Sequence, residues 1–491
     1  MKKFRKLLLI LLLLPCVFML NSCTLLEDKE AYVTAIEKTE VVGNISTYTV
    51  YFSNGTQSTF TVNDGNDGKD GSDLTIDSIK NYCATNKINF ESFLKEYLTV
   101  IQVVEKAPTI QDATNTALQS TVSVWCEFPT SGYRGSNKKT SMGGGAGVIY
   151  QMDETNSYII TNYHVVYMNG CDTNNDIARE IHIFQYGTNE KVYSLSQKNS
   201  FGQTTPVYDE FGYPEISYGD GAVEATYVGG ELTYDLAVLK VKTADLLKYN
   251  EHAKPVTIAN DYQIGETVMA IGNPEGEGTS VTSGIISVVS EDLEMKGADE
   301  LTDCIFRVMR IDAAVNGGNS GGGLFNVYGE WIGIVNAKVV SSNIDNIAYA
   351  IPYDNVTAVV NNILHYYDGT NISKLKKLDL GITIYSENSR PVYDEETNRT
   401  NIIDEATIET IKEGGIGETI GLKVNDIIKT ISINGNIFEI TRSYQVSDIL
   451  LNVRAGDKII IEVKREGSNE LQSCSIATAE GVLSSQLKTI S

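Results

Sequence analysis

One serine of this chain sits where a hydroxyl could be put to work. Ser320 lies in VNGGNSGGGLF (315–325), an Asn-Ser pair set among five glycines and followed by a hydrophobic residue. A serine hydroxyl is a poor nucleophile until a base takes its proton. That base works best when a carboxylate fixes its tautomer and stabilises the imidazolium. The chain has four histidines: His164, His182, His252 and His365. His164, in YIITNYHVV, ends an apolar strand as it runs into a turn, which presents its ring at a strand end. The others stand in polar or charged surroundings, although His182 alternates with Ile181 and Ile183 in a strand-like segment. In TYDLAVLKV, Asp235 directly precedes a run of buried-strand character. A carboxylate entering a core strand is costly unless a donor meets it, and His164 could supply one.

These residues need a frame. From about 113 to 362, short strands follow one another between Gly and Asn turns with almost no long helical period, which predicts an antiparallel barrel or sandwich. A segment rich in Tyr, Gly and Asp, about 185–230, interrupts them. With 491 residues the chain should hold two or three domains. Its 63 acidic against 39 basic side chains give a formal charge of -24. That balance disfavours nucleic acid and anionic lipid, since neutralising phosphate needs a surplus of Lys and Arg.

Motif by motif, AGVIY…YIITNYHVV, YDLAVLKV, AIGNPEG…VTSGIIS, AVNGGNSGGGLFN and AYAIP resemble, in that order, the HtrA/Deg family of trypsin-fold serine proteases. The resemblance implies a mainly β fold with a trypsin-like double six-stranded β-barrel. It gives His164 the part of general base, Asp235 that of orienting carboxylate and Ser320 that of nucleophile. It places the oxyanion hole at the backbone N–H groups of Gly318 and Ser320. No metal or other cofactor is implied. Asn319 stands where zymogen-type trypsins have an Asp, and a neutral amide cannot form their activating ion pair with a new N-terminus.

The sequence departs from the family in three places. Gly317 and Gly323 replace residues that are bulkier or more constrained in many relatives, often proline, so a softer loop with a partly formed hole is expected. Lys338 falls near the S1 pocket where relatives often carry an apolar residue, while Val315 and Ala337 favour a small apolar P1 side chain. The insertion lengthens the His164–Asp235 separation and reads as a surface elaboration or a regulatory lid.

The last hundred residues resemble an α+β PDZ domain of the HtrA type, through LDLGITI, GLKVNDII and AGDKIIIEV. By that resemblance Leu380, Gly381 and Ile382 receive a peptide C-terminus as an added strand. Val446, Ile449, Leu450 and Val453 share a face of a helix expected over Gln445 to Val453, with Ile449 or Leu450 toward the groove.

The first 23 residues carry Lys2, Lys3, Arg5 and Lys6 before the apolar run Leu7 to Leu20, then Asn21-Ser22-Cys23. This is the pattern of a secretory signal, and Leu-x-Ser-Cys resembles the bacterial lipobox, which implies lipidation of Cys23 and a membrane-anchored place in the bacterial cell envelope. Residues 31 to 63 read as a small β module with a hairpin at Asn54-Gly55. NDGNDGKDGSD reads as a solvated spacer, and 74 to 105 as helix. The boundaries drawn are 1–22 signal peptide, 23–75 tether and β module, 76–112 helical linker, 113–365 protease domain and 375–482 PDZ-like domain. Cys83, Cys126, Cys171, Cys304 and Cys474 fit buried thiols with at most one or two bridges.

The expected function is a serine endopeptidase of the cell envelope that cleaves unfolded or damaged proteins. Its partners would be protein or peptide substrates, peptide C-termini at the PDZ-like unit, a membrane through Cys23 and, as is typical of the family, two further copies in a homotrimer. The rival readings are a catalytically dormant protease-like binding or chaperone protein, and a surface adhesin working through the N-terminal β module.

Overall fold

The computed structural model describes residues 33–42, 45–52, 57–63, 109–132, 138–337, 347–395, 397–476 and 481–490. The signal sequence, Cys23, the hairpin tip at Asn54-Gly55, the spacer, the helix expected over 74–105, Cys83 and Lys338 lie outside the described residues. The chain divides into two units, Met1–Ala107 and Pro108–Ser491. In the first, strands β1 (Val33–Val42), β2 (Ile45–Phe52) and β3 (Gln57–Asn63) form an antiparallel meander in which Tyr48 pairs with Phe60.

The second unit opens with helix α1 (Ile110–Leu118). The Thr109 hydroxyl accepts the Asp112 N–H at 3.1 Å, and the Asp112 carboxylate reaches back to the Thr109 N–H at 3.2 Å. This reciprocal cap starts the helix by satisfying two otherwise orphaned donors. The helix buries Ala113, Ala117 and Leu118, so it straddles the boundary drawn at 112 and belongs to the core that follows.

The next elements are β4 (Thr121–Thr130), β5 (Lys139–Met152), β6 (Asn156–Thr161), the single turn α2 (Tyr163–Val166) and β7 (Glu180–Gln185). Four short strands follow in the insertion: β8 (Tyr193–Ser194), β9 (Ser196–Lys198), β10 (Thr204–Pro206) and β11 (Ile216–Ser217). With β12 (Val223–Glu231) and β13 (Leu236–Lys242), a barrel closes in the order β12-β13-β6-β5-β4-β7.

After helix α3 (Thr243–Tyr249) come β14 (Thr267–Gly272), β15 (Ser280–Lys296), β16 (Asp303–Ile311), β17 (Gly323–Asn326), β18 (Trp331–Asn336) and β19 (Ala348–Pro352). They close a second barrel in the order β14-β15-β16-β19-β18-β17. The fold is thus mainly β with two six-stranded barrels, the class that the strand spacing and the resemblance implied. Helices α1 and α4 (Tyr353–Tyr366) help join the barrels. Their buried faces share one apolar core with Val148 and Val238 of the first barrel and Met269, Phe325 and Trp331 of the second. Removing that much apolar surface from water is what favours a fixed barrel pair over two loose ones.

Beyond α4 lie β20 (Lys376–Leu378), β21 (Ile382–Asp394), β22 (Arg399–Ile411), α5 (Ile416–Thr419), β23 (Ile427–Ile433), β24 (Asn436–Glu439), α6 (Tyr444–Leu450), β25 (Ile459–Lys464), β26 (Gln472–Ile476) and β27 (Leu487–Thr489). Five strands run β21-β22-β23-β25-β26, β24 adds to β23, and β20 pairs with β27. Helix α6 begins and ends earlier than the expected Gln445 to Val453. Its apolar period continues past Leu450 into buried Leu451 and Val453, which lie in a turn. Arg307 of β16 ties this region to the barrels with ion pairs to Asp354 of α4 at 2.8 Å and Asp448 of α6 at 2.9 Å. Cys126, Cys171, Cys304 and Cys474 are buried, and burial pushes the Cys126 thiol far up.

Candidate active site

Three separate local structures bring Ser320, His164 and Asp235 together. Strand β6 hands the chain to α2, whose Val165 and Val166 are buried, leaving Tyr163 and His164 as the part-exposed members of the turn. The spot on β5 that the Val165 methyls lean against is Gly145, where an added Cβ would come within 2.7 Å of them. A larger residue there would push α2 and its imidazole away. Asp235 ends the 3-10 turn Leu232–Tyr234, which Glu231 caps, and it takes a left-handed conformation with φ 51°. That kink aims the carboxylate out of β13 toward α2, and Asp235 is only 2% exposed.

The His164 Nδ1 lies 2.7 Å from Asp235 Oδ2, and its Nε2 lies 2.8 Å from Ser320 Oγ. The His164 main-chain N–H donates to the other carboxylate oxygen at 3.0 Å. The carboxylate therefore holds both the ring and the backbone of one residue, which fixes ring orientation better than a single contact could. An imidazole flanked in this way can take the serine proton while the carboxylate stabilises the resulting cation. His182 is elsewhere: its Nε2 meets Glu180 at 3.2 Å and its ring stacks on Tyr218 at 3.7 Å.

Partners that the sequence reading missed complete this arrangement. Asn336, at the end of β18, donates to Asp235 Oδ2 at 2.9 Å. Fully buried Asn162 donates to the Asp235 carbonyl at 2.9 Å. The available signal was an amide closing each of two otherwise apolar strands, WIGIVN and YIITN. Behind Asp235, burial raises the carboxyl of Glu231, partly offset by the Thr233 amide and hydroxyl. Burial, with Tyr167 and Glu231 close by, pushes the Tyr163 phenol up to about 12.

The glycine loop is held more tightly than its composition suggested. The Ser320 carbonyl accepts the Ala146 N–H at 2.8 Å, Gly321 donates to Val335 O at 3.0 Å, and Val335 donates to Gly322 O at 2.8 Å. Gly321 has φ 83°, and a Cβ there would stand 2.2 Å from the Ala146 oxygen; one at Gly323 would stand 2.3 Å from the Phe325 ring. Gly321 and Gly323 thus permit close approach, whereas a Cβ on Gly317 would meet nothing within 4 Å. Asn316 to Asn319 form a turn closed by Asn319 N–H to Asn316 O at 3.0 Å, with Gly318 at φ 94° in its third position. That is the geometry of a type II turn, which favours glycine there. Among the described residues neither the Gly318 nor the Ser320 N–H donates to a protein acceptor. Asn319 is buried, and its Oδ1 has no partner among the described residues.

Of the S1 candidates, Val315 and Ala337 are both buried in the second-barrel core, and the Ala337 N–H donates to Ser320 Oγ at 3.2 Å. In the C-terminal region Leu380 is buried, Gly381 has φ 68°, and the Gly381 N–H donates to the Asp379 carboxylate at 2.8 Å. A cavity of about 850 Å³ lies between β16, β21 and α6, lined in part by Leu380, Ile382, Val446, Leu450, Phe306 and Arg307. Ile449 does not line it. Ile449 packs against the core of the C-terminal sheet instead, so of the two helix residues considered for the groove it is Leu450 that faces the cavity.

A trypsin-like peptidase domain model matches residues 145–334, the span that holds all three site residues. The Serine protease Do-like HtrA of Bacillus subtilis is 28% identical over 375 residues, covering 74% of this chain and 69% of that protein. The HtrA-like serine protease of Staphylococcus haemolyticus is 26% identical over 379 residues; that match covers 74% of this chain and half (50%) of the relative's length. Among solved structures, the HtrA-type protease AlgW with decapeptide aligns over 75% of this chain and 97% of that one, with 21% identity and a TM-score of 0.44. The chain is homologous to the HtrA serine proteases through a trypsin-like peptidase domain, and as an enzyme it is a hydrolase of the serine-endopeptidase type.

Proposed function

We propose that this chain is an exported, lipid-anchored endopeptidase of the bacterial envelope that hydrolyses unfolded or damaged proteins through an acyl-enzyme on Ser320. The observation that carries the reading is the continuous contact from Asp235 through His164 to Ser320, at 2.7 and 2.8 Å. In the first half-reaction Ser320 Oγ bonds to the scissile carbonyl carbon as its proton passes to His164 Nε2. The carbonyl oxygen takes the negative charge within reach of the Gly318 and Ser320 N–H groups. On collapse the C–N bond breaks and His164 returns the proton to the departing amine. Water then repeats the sequence on the ester, with His164 first as base and then as acid.

The C-terminal sheet, in this reading, is a PDZ-like unit that recruits or senses peptide C-termini. Support comes from the edge of β21, which pairs on one side with β22 and has no other strand partner among the described residues. An extended peptide could add there. Lys377 and Lys488 line the adjoining cavity, where Lys488 pairs with Asp379 and Lys377 donates to Ser447; in this reading the terminal carboxylate falls to backbone N–H groups. Trimer formation and the Cys23 anchor complete the reading.

A fluorophosphonate probe tests the chemistry. Labelling of the full chain that Ser320→Ala abolishes is the expected result. Absence of labelling, even with a C-terminal peptide present, would overturn it in favour of a dormant binding protein.

A further inference from the structure

The turn that carries Gly318 is supported from outside. Its 318–319 peptide is held at both ends: the Asn319 N–H donates to Asn316 O at 3.0 Å, and the Gly318 carbonyl accepts the Asn273 N–H at 3.3 Å. Asn273, 1% exposed, is itself clamped. Its Oδ1 accepts the Gly278 N–H at 2.8 Å, and its Nδ2 donates to Glu190 Oε1 at 2.7 Å. Glu190 belongs to the segment between β7 and β12, far along the chain from both.

The same carboxylate accepts the Trp125 indole N–H on Oε1 and the Ser123 hydroxyl on Oε2, the latter at 3.2 Å. A carboxylate is acceptor-only, so it can serve three neutral donors at once, whereas an amide would turn a donor toward at least one of them. Trp125 also braces the 273–278 loop, since a Cβ on Gly276 would meet its ring at 2.7 Å. The inserted segment is anchored by Tyr218 to Glu127 at 3.0 Å, Thr140 to the Pro214 carbonyl at 2.7 Å and Arg179 to Asp209 at 2.8 Å.

We propose that Glu190 is a positioning residue for the serine-protease reaction: by holding Asn273 it fixes Gly318, and with it the amide pair that receives the oxyanion. The proposal rests on the Ser320 reading above. Type I and type II turns keep the same closing hydrogen bond and differ by a flip of the central peptide, whose N–H here is that of Gly318. With the neighbouring 318–319 peptide clamped, the type II state is favoured. Withdrawing Glu190 frees Asn273, loosens Gly318 and lets the central peptide turn its N–H away. The insertion then acts as an outer brace of the oxyanion loop rather than a surface elaboration.

The test uses the full chain with Glu190→Gln. Steady-state cleavage of a chromogenic peptide and the rate of fluorophosphonate labelling, whose transition state also needs the hole, are measured beside the melting temperature. The expected result is a fall of about tenfold in kcat and in labelling rate, the scale of one charge-assisted hydrogen bond. KM and melting temperature should stay near wild type. Combined with Asn273→Ala, the loss should be less than additive, as for residues acting through one contact. Wild-type kcat and labelling in Glu190→Gln, or losses that follow melting temperature and add to those of Asn273→Ala, would overturn the proposal while leaving the Ser320 reading intact. A wild-type chain that takes no label would overturn both. Should Glu190→Gln fail to fold, Glu190→Asp, which keeps the charge but draws it back by one methylene, serves as the second variant with the same readouts and outcomes.

Discussion

Asn336 Nδ2 donates at 2.9 Å to Asp235 Oδ2, the oxygen that the His164 ring reaches at 2.7 Å. One carboxylate oxygen thus joins a strand end of the second barrel to the imidazole carried by the first. The amide holds the carboxylate correctly turned toward the ring. Asn336→Ala is expected to lower kcat about 10- to 100-fold with KM little changed, matching the loss of a hydrogen bond to a charged group. Peptide hydrolysis kinetics check this. Asp235→Asn should cost more, about 10,000-fold, because it presents the wrong tautomer to Ser320.

Gly318→Ala tests the turn. A side chain at φ 94° is strained, and relief comes by converting to type I, which turns the Gly318 N–H away from the oxyanion. A loss of about 100- to 1,000-fold in kcat is expected, as for removal of one oxyanion donor. Substrate binding measured in a Ser320→Ala background should be nearly unaffected.

Glu231 gives a pH-dependent outcome. Burial raises its folded-state carboxyl above the unfolded value, so the folded chain keeps that proton longer than the unfolded chain does. The stability this contributes is complete below the unfolded pKa of about 4.3 and is lost as pH rises through the raised folded value. Glu231→Gln removes the loss and keeps an oxygen for Thr233. Its melting temperature should match wild type near about pH 4 and exceed it near about pH 8. Thermal unfolding in a Ser320→Ala background, which prevents self-digestion, measures it.

Arg307 is 8% exposed and forms ion pairs with both Asp354 and Asp448. Arg307→Met leaves the largely buried Asp448 and the part-exposed Asp354 without their cation, a destabilising change because an uncompensated charge remains in a mostly buried place. The expected sign is a lower melting temperature, with faster limited proteolysis between α4 and β20. The double variant with Asp448→Leu should regain part of the loss.

Legibility in the sequence tracked locality. Ser320, His164 and Asp235 each sit in a short segment with its own pattern, and alternating strands foretold the barrels. Asn336 lies 101 residues from its partner Asp235, and Asn273 lies 83 from Glu190. Those pairings exist only once two barrels and an insertion have docked, and no local pattern encodes them. The packing of Gly321 and Gly323 was illegible for a related reason. These residues look permissive in sequence, whereas the constraint on them comes from the Ala146 oxygen and the Phe325 ring. Helix α6 looked longer because Leu451 and Val453 continue an apolar period that the backbone has already abandoned.

Strand β20, where the C-terminal sheet region begins, lies antiparallel to β27, where it ends, with Lys377 opposite Lys488. The chain therefore enters and leaves that region through one doorway. That ladder is not the region's sole attachment, because Leu451 joins the apolar core that the barrels share and Arg307 of β16 pairs with Asp448 of α6. Cutting the chain at β20 would therefore bare apolar surface that the barrels now share with this region, so the two are expected to stand or unfold together.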